Sequence, residues 1–172
     1  MAYDSFTGLK YRNLKAATSK EIKDELGRRS PKELLELVSR LARFKKENKE
    51  LLTYLLFEAQ DEWAYGQSIR AMMDVRFEEV NRKNYYLIKK GIRKILRDVK
   101  KYIRYSNSKE TEVELLIYFC QKMVGFSPSV KRSRVLVGLY ERQLKLIESR
   151  MEKLHEDLQF DYQEQVENLK VF

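Results

Sequence analysis

Apolar side chains recur every three or four residues through most of this 172-residue chain, which is the period of an α-helix. The pattern is clearest between residues 81 and 105. On a helical projection its apolar residues fall within about a third of the circumference, a grouping that no strand presents on one face. They are Tyr85, Ile88, Ile92, Ile95, Leu96, Val99, Tyr102 and Ile103. This segment is predicted to be a helix with one face in a core.

Helix starts are marked twice near the N-terminus. Thr18 and Glu21 have capping-box spacing, and Ser30 precedes Pro31 with Glu33 three residues on. The second helix is predicted to end near Phe44 and to bury one stripe, namely Leu34, Leu37, Val38 and Leu41. The next helix, over 51–59, carries an even wider apolar face, so we expect it to be central in the core.

The last helix is predicted to start at Ser127-Pro128 and to be unusually long. Its apolar residues step by three or four over 136–162, which predicts more than thirty residues and a length of about 45 Å. Such a helix extends beyond a compact core unless a partner chain or the N-terminal arm covers it.

These segments predict an all-α fold, either a multi-helix bundle or a short helical-repeat array with a long C-terminal helix. Residues 1–17 lack a clear period and are predicted to be a loosely ordered arm, and 18–172 a single domain. Two segments have similar sequences, namely Glu50-Leu51-Leu52-Thr53-Tyr54 and Glu114-Leu115-Leu116-Ile117-Tyr118. This similarity suggests two related helix-turn-helix units, 31–82 and 86–158, although such a short match also arises by chance in leucine-rich helices.

Ser30 to Glu58 contains the runs S-P-K-E-L-L-E-L and K-K-E-N-K-E-L-L. This segment resembles the opening of small, uncharacterised all-helical bacterial proteins over about thirty residues. The resemblance implies no activity and carries over no site residues.

Positive charge is concentrated on the 81–105 helix. It holds ten basic residues and one acid, Asp98, so its charge of +9 equals that of the whole chain. On the helical projection these basic residues form an arc separate from the apolar face. Seven residues of this basic arc are candidates for binding an anionic partner: Arg82, Tyr86, Lys90, Arg93, Lys94, Arg97 and Lys101. A nucleic acid is the commonest such partner, and Tyr86 offers a ring on which a base can stack. The alternatives are a solvated face and acidic residues packed over part of the arc.

Few residues are candidates for catalysis or metal binding. Cys120 lies on an apolar stripe, where a cysteine behaves as a small hydrophobe. Glu152 and His155 form one Glu-x-x-His element, whereas di-iron bundles use two, and His155 is the sole histidine. We therefore predict no metal, no cofactor and no catalytic activity. The apolar runs are too short to cross a membrane, no signal peptide is visible, and the chain is expected to be soluble and cytoplasmic.

Two functions fit this pattern. The leading hypothesis is a non-catalytic interaction or scaffold module that holds a protein partner, or a second copy of itself, along the C-terminal helix. The alternative is a nucleic-acid-binding protein that uses the basic face of the 81–105 helix.

Overall fold

The computed structural model describes residues 15–170, which contain eight α-helices and no strand. The helices are α1 Ser19–Leu26, α2 Pro31–Phe44, α3 Lys46–Thr53, α4 Glu62–Glu78, α5 Tyr85–Ser106, α6 Lys109–Val124, α7 Arg134–Met151 and α8 Glu156–Lys170. A π-helical turn, Tyr54–Glu58, extends α3, and a 3₁₀ turn, Val130–Arg132, precedes α7. The predicted all-α, multi-helix fold is confirmed.

The chain divides into two compact units, and the boundary lies within α3, between Lys49 and Glu50. The domain predicted over 18–172 therefore spans both units. Most of the arm predicted over 1–17 lies outside the described residues. The two related helix-turn-helix units, 31–82 and 86–158, stay a prediction.

The core of the second unit is built around α6. This helix contacts α4, α5, α7 and α8, and half of its side chains are buried. Phe119 and Met123 are fully buried, and Phe119 packs against Phe77 of α4 with ring centroids 5.6 Å apart. Because α6 contacts four other helices, its buried residues are spread over more of its circumference than a single stripe.

The structure of α5 follows the predicted pattern closely. Ile88, Ile92 and Val99 are fully buried, on the side that contacts α4 and α6. Asn84 caps the helix by accepting a hydrogen bond from the Leu87 amide at 3.0 Å, and Asn107 ends it in a left-handed conformation with φ of 55°. The opposite flank of α5 is therefore free to carry the basic residues.

Both predicted capping boxes near the N-terminus are present. Thr18 pairs with Glu21, and Ser30 pairs with Glu33. The predicted burial of α2 is wrong, however. Leu37, Val38 and Leu41 are exposed, and none of the described residues up to Lys49 is buried. The stripe is apolar, but no described element of its own unit closes over it.

Two other predictions for the helices need correction. In the segment over 51–59 only Tyr54 is buried, whereas Leu55, Leu56 and Phe57 are exposed, so this helix is not central in the core. The last helix is not continuous and does not begin at Ser127-Pro128. It is divided at 152–155 into α7 and α8, and α7 begins at Arg134. Because α8 contacts both α6 and α7, it buries its own apolar face instead of extending the α7 axis.

Candidate functional site

The exposed flank of α5 forms a shallow depression lined by residues of this helix. Its volume is about 460 Å³, and we call it the α5 depression. Helical spacing places every third or fourth residue on the same flank, which brings five basic residues together. The lining residues are Tyr86, Lys89, Lys90, Arg93, Lys94 and Arg97.

Tyr86 lies at the N-terminal end of this depression. Two thirds of its surface is exposed, with a relative accessibility of 66%, and the Lys89 Nζ atom lies 5.4 Å from the ring centroid. The ring is thus held beside a cation without being packed into the core. A flat apolar group could reach it from solvent.

A second depression lies between α5 and α7, above α6, with a volume of about 530 Å³. We call it the α5–α7 groove. Basic residues lie along its sides, and its apolar lining residues include Leu96, Ile103 and Leu146. Its basic residues are Arg93, Arg97, Lys100, Arg104 and Arg150. Because Arg93 and Arg97 line both depressions, the two form one continuous basic surface.

Acidic residues compensate little of this charge. In the α5–α7 groove, Glu112 pairs with Arg150, with Oε1 and Nε 3.0 Å apart. Asp98 pairs with Arg76 of α4 and lies 3.8 Å from Arg97. Within residues 15–170, Lys90, Arg93 and Lys94 have no ion pair.

The pKa of Lys100 lies below its usual value, mainly because this side chain is partly buried. The nearby Arg142 lowers it further, while Glu112 opposes the shift. A cation that is disfavoured by partial burial is stabilised when an anion approaches. The groove therefore offers a favourable position for a phosphate or carboxylate.

Two of the seven predicted residues lie apart from this surface. Lys101 is mostly buried and pairs with Glu50, with Nζ and Oε2 2.5 Å apart, so acidic packing does cover this end of the arc. Arg82 lies over the Phe126 ring, 5.1 Å from its centroid. The other five, Tyr86, Lys90, Arg93, Lys94 and Arg97, line the α5 depression together. Sequence reasoning missed Arg150, because only the fold brings α7 beside α5.

A different surface dominates the first unit. A depression of about 1100 Å³ lies between α1 and α2, and its apolar lining residues include Ile22, Leu26 and Leu37. Charged residues of both signs surround it, namely Glu21, Glu25, Arg29, Glu33, Glu36, Arg40 and Arg43. We call this the α1–α2 depression.

Cys120 and His155 line neither the α5 depression nor the α5–α7 groove. Cys120 is fully buried, as predicted, and burial raises the pKa of its thiol to about 12. His155 is exposed beside Asp157 at the start of α8. No group of three or more potential metal-binding side chains occurs in the part of the chain that the structure describes.

Glu62 is the centre of a hydrogen-bond cluster between α4 and α6. It accepts hydrogen bonds from the hydroxyls of Tyr54, Ser106 and Thr111. The cluster links the π-helical turn, the end of α5 and the start of α6, so it stabilises the fold around the basic helix.

Comparison with protein-family models, curated proteins and solved structures finds no match to this chain. Over residues 15–170, no helix has the length and apolar content needed to cross a bilayer.

Proposed function

We propose that this chain is a non-catalytic binding protein whose continuous basic surface on α5 binds nucleic acid. The observation that carries the proposal is the joining of the α5 depression and the α5–α7 groove through Arg93 and Arg97. A polyanion that follows this surface meets basic side chains along most of α5. From Tyr86 to Arg104 the helix rises about 27 Å, at about 1.5 Å per residue.

The charge pattern favours a polyanion over a merely solvated face. A solvated helix is stabilised by alternating charges, whereas like charges four residues apart, such as Lys90 with Lys94 and Arg93 with Arg97, repel. Binding to a phosphate backbone relieves that repulsion and releases condensed counterions, which is the main source of nucleic-acid affinity.

The test is a titration of fluorescently labelled oligonucleotides followed by anisotropy. We expect the double variant R93E/R97E to lose at least about tenfold in affinity at low salt, because two contacts become repulsive. The matched control is K20E/K153E, which changes the net charge equally at two exposed positions outside the basic surface. Equal loss in both variants would show that only net charge matters, and no binding by the natural chain would refute the proposal.

A second function, self-association, is supported by the first unit. Its apolar residues are exposed, including Leu35, Leu41 and Phe44, and helices of 8 and 14 residues are marginal in water without tertiary packing. The charged residues around the α1–α2 depression comprise four acids and three arginines. Such a mixed rim can pair with itself across a two-fold axis, so we propose a second copy of this chain as its occupant.

The oligomeric state in solution tests this second function. Sedimentation at increasing concentration is expected to show a dimer, and L37E/L41E is expected to be monomeric because two charges would enter the apolar contact. The control V75E/V135E introduces the same charges at exposed valines of the other unit and should remain dimeric. A monomeric natural chain would refute self-association and leave nucleic-acid binding unaffected.

The partner predicted along the C-terminal helix stays a prediction. Its original basis was an uncovered apolar stripe, but Tyr162, Val166 and Leu169 of α8 are buried. Less apolar surface is therefore left for a partner at this position than the sequence suggested.

A further inference from the structure

The basic surface also carries features that a duplex would not use. Tyr86 presents an exposed ring at one end, and the α5–α7 groove has apolar residues between its basic sides. In a duplex the bases are paired and stacked, so the rigid phosphate backbone meets the protein first. In a single strand the faces of the bases are accessible.

Resting on the proposed function, we propose that the ligand of this site is single-stranded nucleic acid. Phosphates bind Arg93 and Arg97, which stand where the two depressions join. One base stacks on Tyr86 in the α5 depression. A following base enters the α5–α7 groove and covers its apolar residues, including Leu146, which is half-buried in the free protein.

The position of Tyr86 supports stacking rather than a structural role. Two thirds of its surface faces solvent, whereas the adjacent Tyr85 is half-buried and donates a hydrogen bond to the Ser129 carbonyl at 2.9 Å. The lining of the α5 depression places Tyr86 in one depression with Lys89, Lys90 and Arg93. An aromatic ring among cations is the arrangement that holds single strands in other binding grooves, where each stacked base contributes without regard to its identity.

The length of the site is also consistent with a short single strand. The surface runs for about 27 Å along α5. Single-strand-binding domains cover about 4 to 16 nucleotides, and a surface of this length belongs at the lower end of that range. We therefore expect a site of about five nucleotides and little preference for sequence.

The test compares labelled single-stranded and duplex oligonucleotides of equal length against Y86A and Y86F. We expect the natural chain to bind the single strand at least about tenfold more tightly than the duplex. Y86A should lose about 5- to 140-fold in affinity for the single strand, because a stacked base is lost. Y86F keeps the ring and should remain within about twofold of the natural chain.

Two controls separate stacking from charge and from folding. Phe160 is even more exposed than Tyr86 but lies on α8, so F160A should bind normally. The slope of log affinity against log salt concentration should be unchanged in Y86A, since no phosphate contact is lost. In R93E/R97E this slope should be smaller in magnitude by about 1.4, because two phosphate contacts are lost. Circular dichroism of Y86A should match that of the natural chain, because alanine is a good helix former.

The outcomes distinguish this inference from the proposed function. Equal affinity for duplex and single strand, or an unaltered Y86A, would overturn the single-strand inference while binding through Arg93 and Arg97 remained. Displacement of the strand by polyglutamate of equal charge, at equal concentration, would show a general polyanion site and would also overturn it. Failure to bind any oligonucleotide would reject both.

Discussion

At the residue scale, Gly91 explains how closely α5 approaches the segment before it. A Cβ atom at this position would lie 3.1 Å and 3.2 Å from the two γ-methyl carbons of Val80. We predict that G91A destabilises the protein by about 1 kcal/mol, because overpacking outweighs the gain in helix propensity. In a V80A background the same change should stabilise by about 1 kcal/mol. Urea unfolding of the natural chain, G91A, V80A and V80A/G91A measures this reversal of sign, and its absence would show that Val80 does not restrict the site.

Lys101 shows, also at the residue scale, what helical periodicity alone does not predict. Helical projection places it on the basic arc, but its partner Glu50 is 51 residues away, and no local pattern reveals that pair. The structure holds Lys101 away from the basic surface. K101M should therefore lower the free energy of unfolding by about 1–3 kcal/mol, since Glu50 loses a charged hydrogen-bond partner.

The affinity of K101M for an oligonucleotide is the second measurement that tests the position of Lys101. K101M should change the affinity by less than about twofold, in contrast to R93E/R97E. A large loss of affinity in a folded K101M variant would contradict the placement of Lys101 outside the site.

At the element scale, helical periodicity predicted where helices lie better than what covers them. The stripe of α5 is buried as expected, whereas the equally regular stripe of α2 is exposed. Periodicity shows only that a face is apolar, and its cover is supplied by distant parts of the chain or by another molecule. The same reason explains the last helix. Its stripe continues across 152–155, but the turn there lets α8 pack on α6 and α7.

The folding back of α8 leads to a prediction for Val166. This side chain is buried at 3% accessibility, whereas in a continuous rod it would lie far along the axis of α7. V166D should cost at least about 3 kcal/mol, because an unpaired charge would enter the core. Thermal or urea unfolding provides the measurement, with Q165D at an adjacent exposed position as the control. A harmless V166D would favour the continuous helix.

At the scale of the whole molecule, several buried hydroxyl and thiol groups predict loss of stability at alkaline pH. The pKa of Tyr118 is raised to about 12, first by burial and then by its hydrogen bond to Asp74. Burial also raises the pKa of the Cys120 thiol to about 12, and it is the main reason that those of Tyr65, Tyr140 and Tyr162 lie above their usual range.

Each of these groups favours the folded state while it is protonated. Their contribution is complete below the unfolded pKa, which is about 10 for tyrosine and about 9 for cysteine, and it is lost as the pH rises through the folded values. The urea midpoint should therefore be lower at pH 11 than at pH 8, in step with the appearance of tyrosinate absorbance. A constant midpoint would mean that these hydroxyls are accessible to solvent.

The candidate site could be predicted from the sequence only in part. The positions of Lys90, Arg93, Lys94 and Arg97 on one flank follow from helical spacing, and the structure places them around one depression. The α5–α7 groove could not be predicted, because Leu146 and Arg150 reach α5 only through the packing of α7 on α6. The arrangement of the basic surface is thus a property of the whole second unit.

The most direct test of this basic surface is the salt dependence of binding to a single-stranded oligonucleotide. Each phosphate contact contributes a slope of about −0.7 to a plot of log affinity against log salt concentration. If the five cations of the α5 depression are engaged, the slope should be about −3.5. A slope near zero would contradict the account, because the surface would then bind without neutralising phosphates.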